Sequence, residues 1–208
     1  MGAVARAYAE RIGDRKLQYI TPIANTPSIM QYGILSHHGA SQLAHIDISL
    51  GDVQRKRSKK EVVVGRTQLH QYANLYFDAR NPMMYRRRSE RSSLCVLSVS
   101  CDVLDIASTV VADRNAASDY ARFFSPMAAL DALDFASVFA RDWTDPRAPV
   151  FYEKRSKKCA EVLVLDCVPP NLIVDACVLC EASAEQLSGK IGAGSGFCVK
   201  IDPDLFFE

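Results

Sequence analysis

The sequence predicts a single α+β domain, and three observations support this fold class. Segments typical of helices and strands follow one another without the regular alternation of a parallel β-α-β fold. No glycine-rich phosphate-binding loop follows a predicted strand. A length of 208 residues with 49% hydrophobic residues suits one domain with a sizeable core. We therefore expect residues 1–208 to form one domain, with residues 1–16 as an N-terminal helical appendage.

The helices are predicted from apolar residues at helical spacing together with capping residues. In the second helix, Thr26 stands at the N-cap position, Pro27 at the first helical position and Gly33 after the end. In chain order, the predicted helices cover residues 4–12, residues 26–32, the basic run after Asp52, a turn starting at Asn81-Pro82, and residues 115–124, 128–141 and 183–191.

The strands are predicted from short runs of β-branched, aromatic and other apolar residues. In chain order they cover residues 17–21, 62–64, 75–77, 94–99, 162–168, 173–179 and 197–201. Residues 36–50 predict a histidine-bearing loop, and the glycine-rich segment 192–196 predicts a flexible turn. The first half of the chain is therefore expected to be loop-rich.

Basic residues are clustered although the net charge is only +1. Three basic runs occupy residues 55–60, 86–91 and 154–158. Each run alone is typical of a solvated face. Three runs that converge in space would instead form an electropositive groove for a phosphate backbone or a polyphosphate cofactor.

Cysteine content and hydropathy bear on redox state and location. The seven cysteines are an odd number in mostly apolar contexts, which indicates reduced thiols. No second pair of ligands accompanies Cys177 and Cys180, so we expect no metal. No apolar run approaches the ~20 residues of a membrane span, and the N-terminus lacks a signal pattern. We expect a cytoplasmic protein without membrane contact.

An apolar run at residues 162–165 opens with a carboxylate, Glu161. Because side chains alternate across a strand, Glu161 can face water from an edge strand or from an exposed sheet face. It can also be a catalytic carboxylate, held on a rigid strand at the mouth of a cleft where burial tunes its proton affinity. The stretch by itself favours the first interpretation.

Four segments, in order, resemble the DarT family of nucleic-acid ADP-ribosyltransferase toxins of bacterial toxin–antitoxin systems. They are Tyr-Ile-Thr-Pro-Ile-Ala-Asn at 19–25 with its continuation to residue 35, Tyr-Phe-Asp-Ala-Arg-Asn-Pro-Met-Met-Tyr at 76–85, Ala-Asp-Arg-Asn-Ala-Ala at 112–117, and Ala-Glu-Val-Leu-Val at 160–164. The second segment is the most specific, since it is close to the family's Arg-Ser-Pro-Met-Leu-Tyr. The resemblance spans roughly residues 17–178.

This resemblance implies an ADP-ribosyltransferase-like fold, with a split antiparallel β-sheet core and peripheral helices around an NAD cleft. It implies a toxin that transfers ADP-ribose from NAD to a nucleobase of single-stranded DNA and releases nicotinamide, a reaction of the glycosyltransferase or nucleotidyltransferase kind. The implied partners of the monomer are single-stranded DNA and a macrodomain-type antitoxin. The alternatives are an RNA- or protein-directed ADP-ribosyltransferase and a non-catalytic nucleic-acid-binding protein.

The resemblance also implies roles for individual residues. Glu161 becomes the catalytic glutamate, whose replacement by Ala is expected to abolish transfer and leave folding intact. Alignment on the flanking valines selects Arg57 as the catalytic arginine, with Arg55 as the alternative. The implied NAD contacts are Tyr19, Thr21, Asn25, Tyr76 and Tyr85. The implied nucleic-acid contacts are Arg55, Lys59, Arg80, Arg86 and Lys157.

The chain departs from the family pattern at the nicotinamide end. Residues 19–22 read Tyr-Ile-Thr-Pro where family members often carry a His-Phe-Thr-His-like stretch. Tyr19 is expected to contact the ribose through its hydroxyl. Tyr76 and Tyr85 either stack on nicotinamide or a base, or form part of a half-buried core. The departures at Tyr19 and Arg114 suggest a base preference different from that of thymine-directed family members.

Overall fold

The computed structural model describes residues 1–49, 51–62, 67–192 and 197–207. The predicted extended residues Val63 and Val64 and the predicted turn at 193–196 lie outside these ranges. The helices within them are α1 (Ala3–Ile12), α2 (Thr26–Tyr32), α3 (His37–Ala40), α4 (Gly51–Arg57), α5 (Pro82–Arg86), α6 (Pro126–Ala132), α7 (Phe135–Val138), α8 (Ala148–Lys157) and α9 (Glu181–Ile191). Short 3-10 turns lie at Ile23–Asn25, Leu69–Gln71, Arg88–Ser93, Cys101–Asp105, Pro170–Leu172 and Pro203–Phe206.

The strands are β1 (Leu17–Pro22), β2 (Ile34–Leu35), β3 (Glu61–Val62), β4 (Thr67–Gln68), β5 (Tyr72–Tyr76), β6 (Leu94–Val99), β7 (Val110–Ala112), β8 (Phe123–Phe124), β9 (Glu161–Leu165), β10 (Cys167–Val168), β11 (Ile173–Val178) and β12 (Cys198–Ile201). Eight of them form the main sheet in the order β12-β11-β6-β1-β5-β9-β7-β8. Among these described strands, neighbours run antiparallel except β11 and β12.

The sheet is split between its two central strands. β1 pairs with β6 along its whole length, from Leu17 opposite Val99 to Pro22 opposite Leu94. With β5, on its other side, β1 pairs at Gln18 opposite Tyr76. The two halves of the sheet therefore diverge beyond this contact and leave space between them. The predicted α+β class with a split antiparallel core is confirmed.

Helix α1 is part of the core, which corrects the expectation of an N-terminal appendage. Ala5 and Tyr8 are fully buried in the main hydrophobic cluster. The Tyr8 ring stacks on Phe77 with centroids 6.1 Å apart, and its hydroxyl donates to the Pro126 carbonyl at 2.9 Å. Asp105 accepts hydrogen bonds from the first backbone amides of the helix, at 3.0 Å from Val4. The helix is therefore tied to the core at several points.

Most predicted strands and the first two helices are confirmed, with a different cap for α2. Thr26 is itself the first helical residue and its hydroxyl donates to the Ile23 carbonyl at 2.8 Å, so Asn25 rather than Thr26 occupies the cap position. Gly33 ends the helix as predicted, with φ of 87°. A Cβ there would lie 2.2 Å from the Val168 carbonyl oxygen, so both the conformation and the space require glycine.

Three predictions in the second half of the chain are wrong. Residues 115–124 form turns and β8 rather than a helix, and residues 128–141 form two short helices separated at Leu133 and Asp134. Asp134 caps the second of these by accepting from the Ser137 amide at 3.0 Å. The predicted strand 162–168 breaks at Asp166, whose φ is 61°. Helix α8 has no counterpart among the predicted helices.

Within the described ranges, none of the helices is both long enough and apolar enough to cross a membrane.

Candidate active site

A cleft of about 840 Å³ opens where the two halves of the sheet diverge. Strands β1, β5 and β9 form its floor and carry Tyr19, Tyr76 and Glu161. Its walls are α4, the loop at residues 45–49, the loop at residues 114–120 and the exposed side of α8. A cleft of this volume falls within the range of small-molecule and cofactor sites.

Glu161 lines this cleft and is nearly excluded from solvent. As the first residue of β9 it pairs with Tyr76 of β5 on one side and with Ala112 of β7 on the other. Its side chain is 1% exposed. Since β9 is an interior strand, Glu161 does not face water from an edge, and the interpretation favoured by the stretch alone is wrong.

Both carboxylate oxygens of Glu161 are held by donors from distant parts of the chain. Oε2 accepts a hydrogen bond from Nη1 of Arg57 at 2.9 Å. Oε1 accepts a hydrogen bond from the backbone amide of Ala116 at 3.0 Å. A charged and a neutral donor on opposite oxygens fix both the position and the plane of the carboxylate.

Of the two candidate arginines, Arg57 is the one beside Glu161. It is the last residue of α4, and 8% of its side chain is exposed. Arg55 points away from the cleft, with 75% of its side chain exposed, and forms an ion pair with Asp52. The helical repeat separates the two, because positions two residues apart lie on different faces of a helix.

Helix α4 is anchored through histidines at the cleft wall. The Nε2 atom of His70 lies 2.8 Å from Oε1 of Gln54, which precedes Arg57 by one turn. The rings of His37 and His70 have centroids 4.2 Å apart. Burial, with smaller contributions from His37 and Arg57, lowers the pKa of His70 below its usual range. A neutral imidazole therefore supports the helix that carries Arg57.

The loop that delivers the Ala116 amide is closed by a buried carboxylate, Asp113. Asp113 accepts from Nε of Arg114 at 3.1 Å and from Nε of Arg122 at 3.0 Å. Burial by itself would raise the pKa of Asp113, but the hydrogen bonds from the two arginines outweigh it and hold the pKa below its usual value. The Nζ atom of Lys60 binds the loop from outside through the Ser118 carbonyl at 2.9 Å.

Two of the predicted NAD-contacting tyrosines lie on the cleft floor, and the third does not. Burial, followed by the charge of Asp47, raises the pKa of Tyr19 to about 12. Burial, followed by the charge of Glu161, raises the pKa of Tyr76 well above its usual value. Both hydroxyls therefore stay protonated and can donate. Tyr85 lies outside the described cleft lining and packs edge-on against Trp143, with centroids 6.4 Å apart.

Thr21 and Asn25 also line the cleft, and Asn25 has a further role. Its Nδ2 donates to the Ile46 carbonyl at 2.9 Å, and its Oδ1 accepts from the Ile46 amide at 2.9 Å. This pair of bonds fixes the loop at residues 45–49, which forms one wall. Asn25 thus shapes the cleft as well as facing it.

Only one of the five predicted nucleic-acid contacts, Arg86, is among the described cleft-lining residues. Arg80 binds the Asp204 carbonyl at 2.9 Å, and Lys157 pairs with Glu153 at 2.9 Å. Arg55 and Lys59 are exposed elsewhere on the surface. Three other basic residues line the cleft and were not predicted to contact nucleic acid, namely Lys56, Arg114 and Arg155.

Two exposed aromatic residues at the mouth of the cleft were also missed. Tyr120, on the loop at 114–120, is 80% exposed, and Tyr152, on α8, is 63% exposed. Solvent-exposed aromatic rings beside a basic cleft are suited to stacking on bases. Tyr120 lies in the segment wrongly predicted as a helix, and α8 is absent from the predicted helices, so no local signal placed either ring at the cleft.

A split, mostly antiparallel sheet that presents a glutamate to a central cleft defines the ADP-ribosyltransferase-like class of enzymes. Within this class, the family model described as "ssDNA thymidine ADP-ribosyltransferase, DarT" matches residues 18–207. The chain belongs to the DarT family.

Similar proteins support this placement. A DNA ADP-ribosyl transferase–DNA ADP-ribosyl glycohydrolase fusion protein of Thermosipho africanus is 29% identical over 201 residues, covering 93% of this chain and 50% of the relative. The chain therefore spans about half the length of that relative. Thermus sp. 2.9 DarT in complex with ADP-ribosylated ssDNA superposes with a TM-score of 0.80 at 26% identity, covering 93% of this chain and 96% of the other. The same protein in complex with NAD+ gives a TM-score of 0.75 at 26% identity, covering 93% and 98%.

Proposed function

We propose that this protein transfers ADP-ribose from NAD to a base of single-stranded DNA and releases nicotinamide. The observation that carries the proposal is the Glu161 carboxylate, held by Arg57 and by the Ala116 amide in a cleft of about 840 Å³. The similar structures with bound NAD+ and with ADP-ribosylated ssDNA support the same substrates. Thymidine, named in the family description, is the first base to test.

The residues that line the cleft fit a bent dinucleotide. Tyr19 and Tyr76 provide protonated hydroxyls that can donate to ribose or amide oxygens. Thr21 adds a further hydroxyl at the same end. Arg57 supplies a planar guanidinium suited to phosphate or carbonyl oxygens. The cleft thus combines polar donors, a cation and aromatic surface.

Glu161 is the residue placed to drive the transfer. Cleavage of the bond between nicotinamide and ribose develops positive charge on the ribose, and a fixed carboxylate stabilises that charge as it forms. The same carboxylate can take the proton that the attacking base nitrogen loses. The hydrogen bonds from Arg57 and Ala116 orient it beforehand, so little reorganisation is needed during the reaction.

The bond formed joins the base to C1 of the ribose, so the reaction is a glycosyl transfer. Nucleotidyl transfer was also predicted from the sequence as a possible reaction kind. The comparisons do not support it, because the matching family and relatives are ADP-ribosyltransferases.

Single-stranded DNA fits the outer part of the cleft. Lys56, Arg86 and Arg155 line it and can contact phosphates, and Tyr120 and Tyr152 offer exposed rings for unpaired bases. A base nitrogen used in Watson–Crick pairing is accessible only when the base is unpaired or flipped, which costs a few kcal/mol. We therefore infer a preference for single strands.

The biological role we propose is that of a cytoplasmic, monomeric toxin neutralised by a macrodomain-type antitoxin. The support is the Thermosipho africanus relative, in which a transferase is fused to a DNA ADP-ribosyl glycohydrolase, an activity that removes the same modification. Co-expression of such a glycohydrolase should relieve growth inhibition caused by this protein.

The direct test is mass spectrometry of a mixed-sequence DNA oligonucleotide after incubation with NAD, with fragmentation to locate the adduct. The same sequence is presented as single strand, as annealed duplex and as RNA, and the protein itself is included as a possible acceptor. We expect ADP-ribose on the single DNA strand. Equal labelling of the duplex would remove the single-strand preference, labelling of RNA or protein would favour the alternative transferases, and binding without NAD consumption would favour the non-catalytic alternative.

A further inference from the structure

A shallow basic groove lies beside the cleft, between the 3-10 turn Arg88–Ser93 and the residue that follows β11. Its lining residues are Arg86, Arg88, Ser89, Arg91, Ser92 and Leu179. Three of these are arginines and none is acidic. Arg86 lines both this groove and the cleft, so the two adjoin at this residue.

The positive charge of the groove is not neutralised by the rest of the described chain. Its three arginines form no ion pair with a described carboxylate. Glu90, the acidic residue of this stretch, instead pairs with Arg87 at 2.9 Å. Arg88 and Arg91 donate to backbone carbonyls at 2.9 and 3.0 Å, which orients their guanidinium groups without cancelling their charge.

Basic residues in other runs are mostly compensated. Lys157 pairs with both Glu153 and Asp134, and Lys158 pairs with Asp78. Arg88 is exposed at the surface and Arg91 is half-buried. An uncompensated group of three guanidiniums is costly for a compact protein through mutual repulsion, and a bound polyanion relieves that cost.

We propose that this groove binds the phosphodiester backbone of the DNA strand where the strand leaves the cleft. This inference rests on the proposed function and extends it from the modified nucleotide to its neighbours. Guanidinium groups match phosphate oxygens in bidentate geometry, and the hydroxyls of Ser89 and Ser92 are additional donors of the kind used to bind the DNA backbone. Arg86 lies at the junction and can contact the phosphate nearest the modified base.

The test compares three fluorescent single strands that contain the same modified site. The short strand has about 5 nucleotides and fills only the cleft, and the two extended strands have about 15, one lengthened on each side of the modified site. Binding is measured by fluorescence anisotropy across a salt series, and ADP-ribose transfer to each strand is measured in parallel. The variants are Arg88→Glu and, as a matched charge reversal, Arg6→Glu, which is exposed on α1.

We expect the wild-type protein to bind one of the extended strands more tightly than the short one. Arg88→Glu should weaken that binding by about tenfold and reduce the salt slope by about 0.7 for each phosphate that the variant no longer binds. Transfer to the short strand should be unchanged in this variant, and Arg6→Glu should behave like wild type for all of the strands.

Two results would overturn the proposal while leaving the proposed function intact. One is normal transfer by the wild-type protein without any gain in affinity on extension. The other is a loss of affinity in Arg88→Glu that is equal for short and extended strands. Such a result would mean that Arg88 acts on the nucleotides in the cleft and not on the extension. Absence of transfer to every strand by the wild-type protein would instead reject the proposed function, and the groove with it.

Discussion

Nη1 of Arg57 lies 2.9 Å from Oε2 of Glu161, although the two residues are 104 positions apart in the chain. Only 8% and 1% of their side chains are exposed. In a site so poor in water, loss of either partner leaves the other charge without its counter-ion. The pair therefore links the catalytic role proposed for Glu161 to the stability of the fold, and the variants used to study it must separate the two.

Replacement of Glu161 by Gln should reduce transfer by at least about 10²-fold, because a neutral amide cannot stabilise positive charge on the ribose. Gln removes the counter-ion of Arg57 but keeps the size and one acceptor oxygen, so it should destabilise the fold less than Ala does. Glu161→Ala should also abolish transfer, but by removing the partner of Arg57 it should destabilise the protein by about 3–5 kcal/mol, contrary to the expectation from sequence. Mass-spectrometric transfer assays together with thermal unfolding measure both effects, and near-native transfer by Glu161→Gln would refute the assignment.

Arg57→Lys and Arg55→Ala should differ in kind. Lysine keeps the charge at position 57 but loses the planar fork, so we expect a large fall in kcat at every salt concentration. Arg55→Ala removes an exposed charge paired with Asp52 and should alter only the salt-dependent part of DNA binding. Steady-state kinetics at two ionic strengths distinguish them. If both variants lost activity equally, and if both losses vanished at the higher ionic strength, Arg57 would be an ordinary phosphate contact.

Asn25→Ala should raise the KM for NAD more than it lowers kcat, because it releases the loop wall held at Ile46. Asn25→Asp keeps the acceptor for the Ile46 amide and loses only the donor, so its effect should be intermediate. Asn171→Ala, at an exposed asparagine, is the control. An unchanged KM in Asn25→Ala would mean that this wall does not contribute to NAD binding.

Asp113→Asn should lower transfer and destabilise the protein in a pH-dependent manner. The pKa of Asp113 lies below its ordinary value of 3.8 in the folded state, so the unfolded chain binds the proton more readily. The stabilisation by this carboxylate is therefore fully present above about pH 4 and is lost as the pH falls through the folded-state pKa.

Chemical denaturation of wild type and Asp113→Asn across a pH series measures this contribution. Their difference in free energy of unfolding should stay constant near neutrality and shrink in acid. Asp131→Asn, at an exposed position on α6, should show no such difference. A gap between wild type and Asp113→Asn that widens in acid would contradict the assigned ion pairs.

Tyr120→Ala should weaken binding of single-stranded DNA, because stacking of a base on an aromatic ring contributes about 1–3 kcal/mol. Tyr120→Phe should bind like wild type, since it retains the ring. Tyr32→Ala serves as the control, because Tyr32 is exposed outside the described cleft lining. Anisotropy titrations measure the affinities, and equal losses in the Phe and Ala variants would exclude stacking.

Local pattern predicted much of this fold. The strand at residues 94–99 has the bounds predicted for it, and α1 and α2 lie where apolar spacing and Gly33 place them. These signals work because periodicity and turn chemistry act over a few neighbouring residues. The helix predicted over residues 115–124 was wrong because long-range contacts decide the conformation of this segment. Its conformation depends on Asp113 binding Arg114 and Arg122 and on Lys60 binding the Ser118 carbonyl, interactions that a helical pattern cannot report.

The sequence, through its resemblance to the DarT family, pointed to Glu161 and Arg57 and to the chemistry of a carboxylate beside a ribose, whereas the local pattern alone favoured a solvent-facing Glu161. Only the tertiary structure decided that Glu161 lies on an interior strand, that Arg57 rather than Arg55 contacts it, and that a backbone amide from Ala116 completes its environment. The physical reason is that burial and ion pairing arise from segments brought together by the sheet. A backbone N–H is present at every residue except proline, so its function becomes visible only when the fold directs it at a partner.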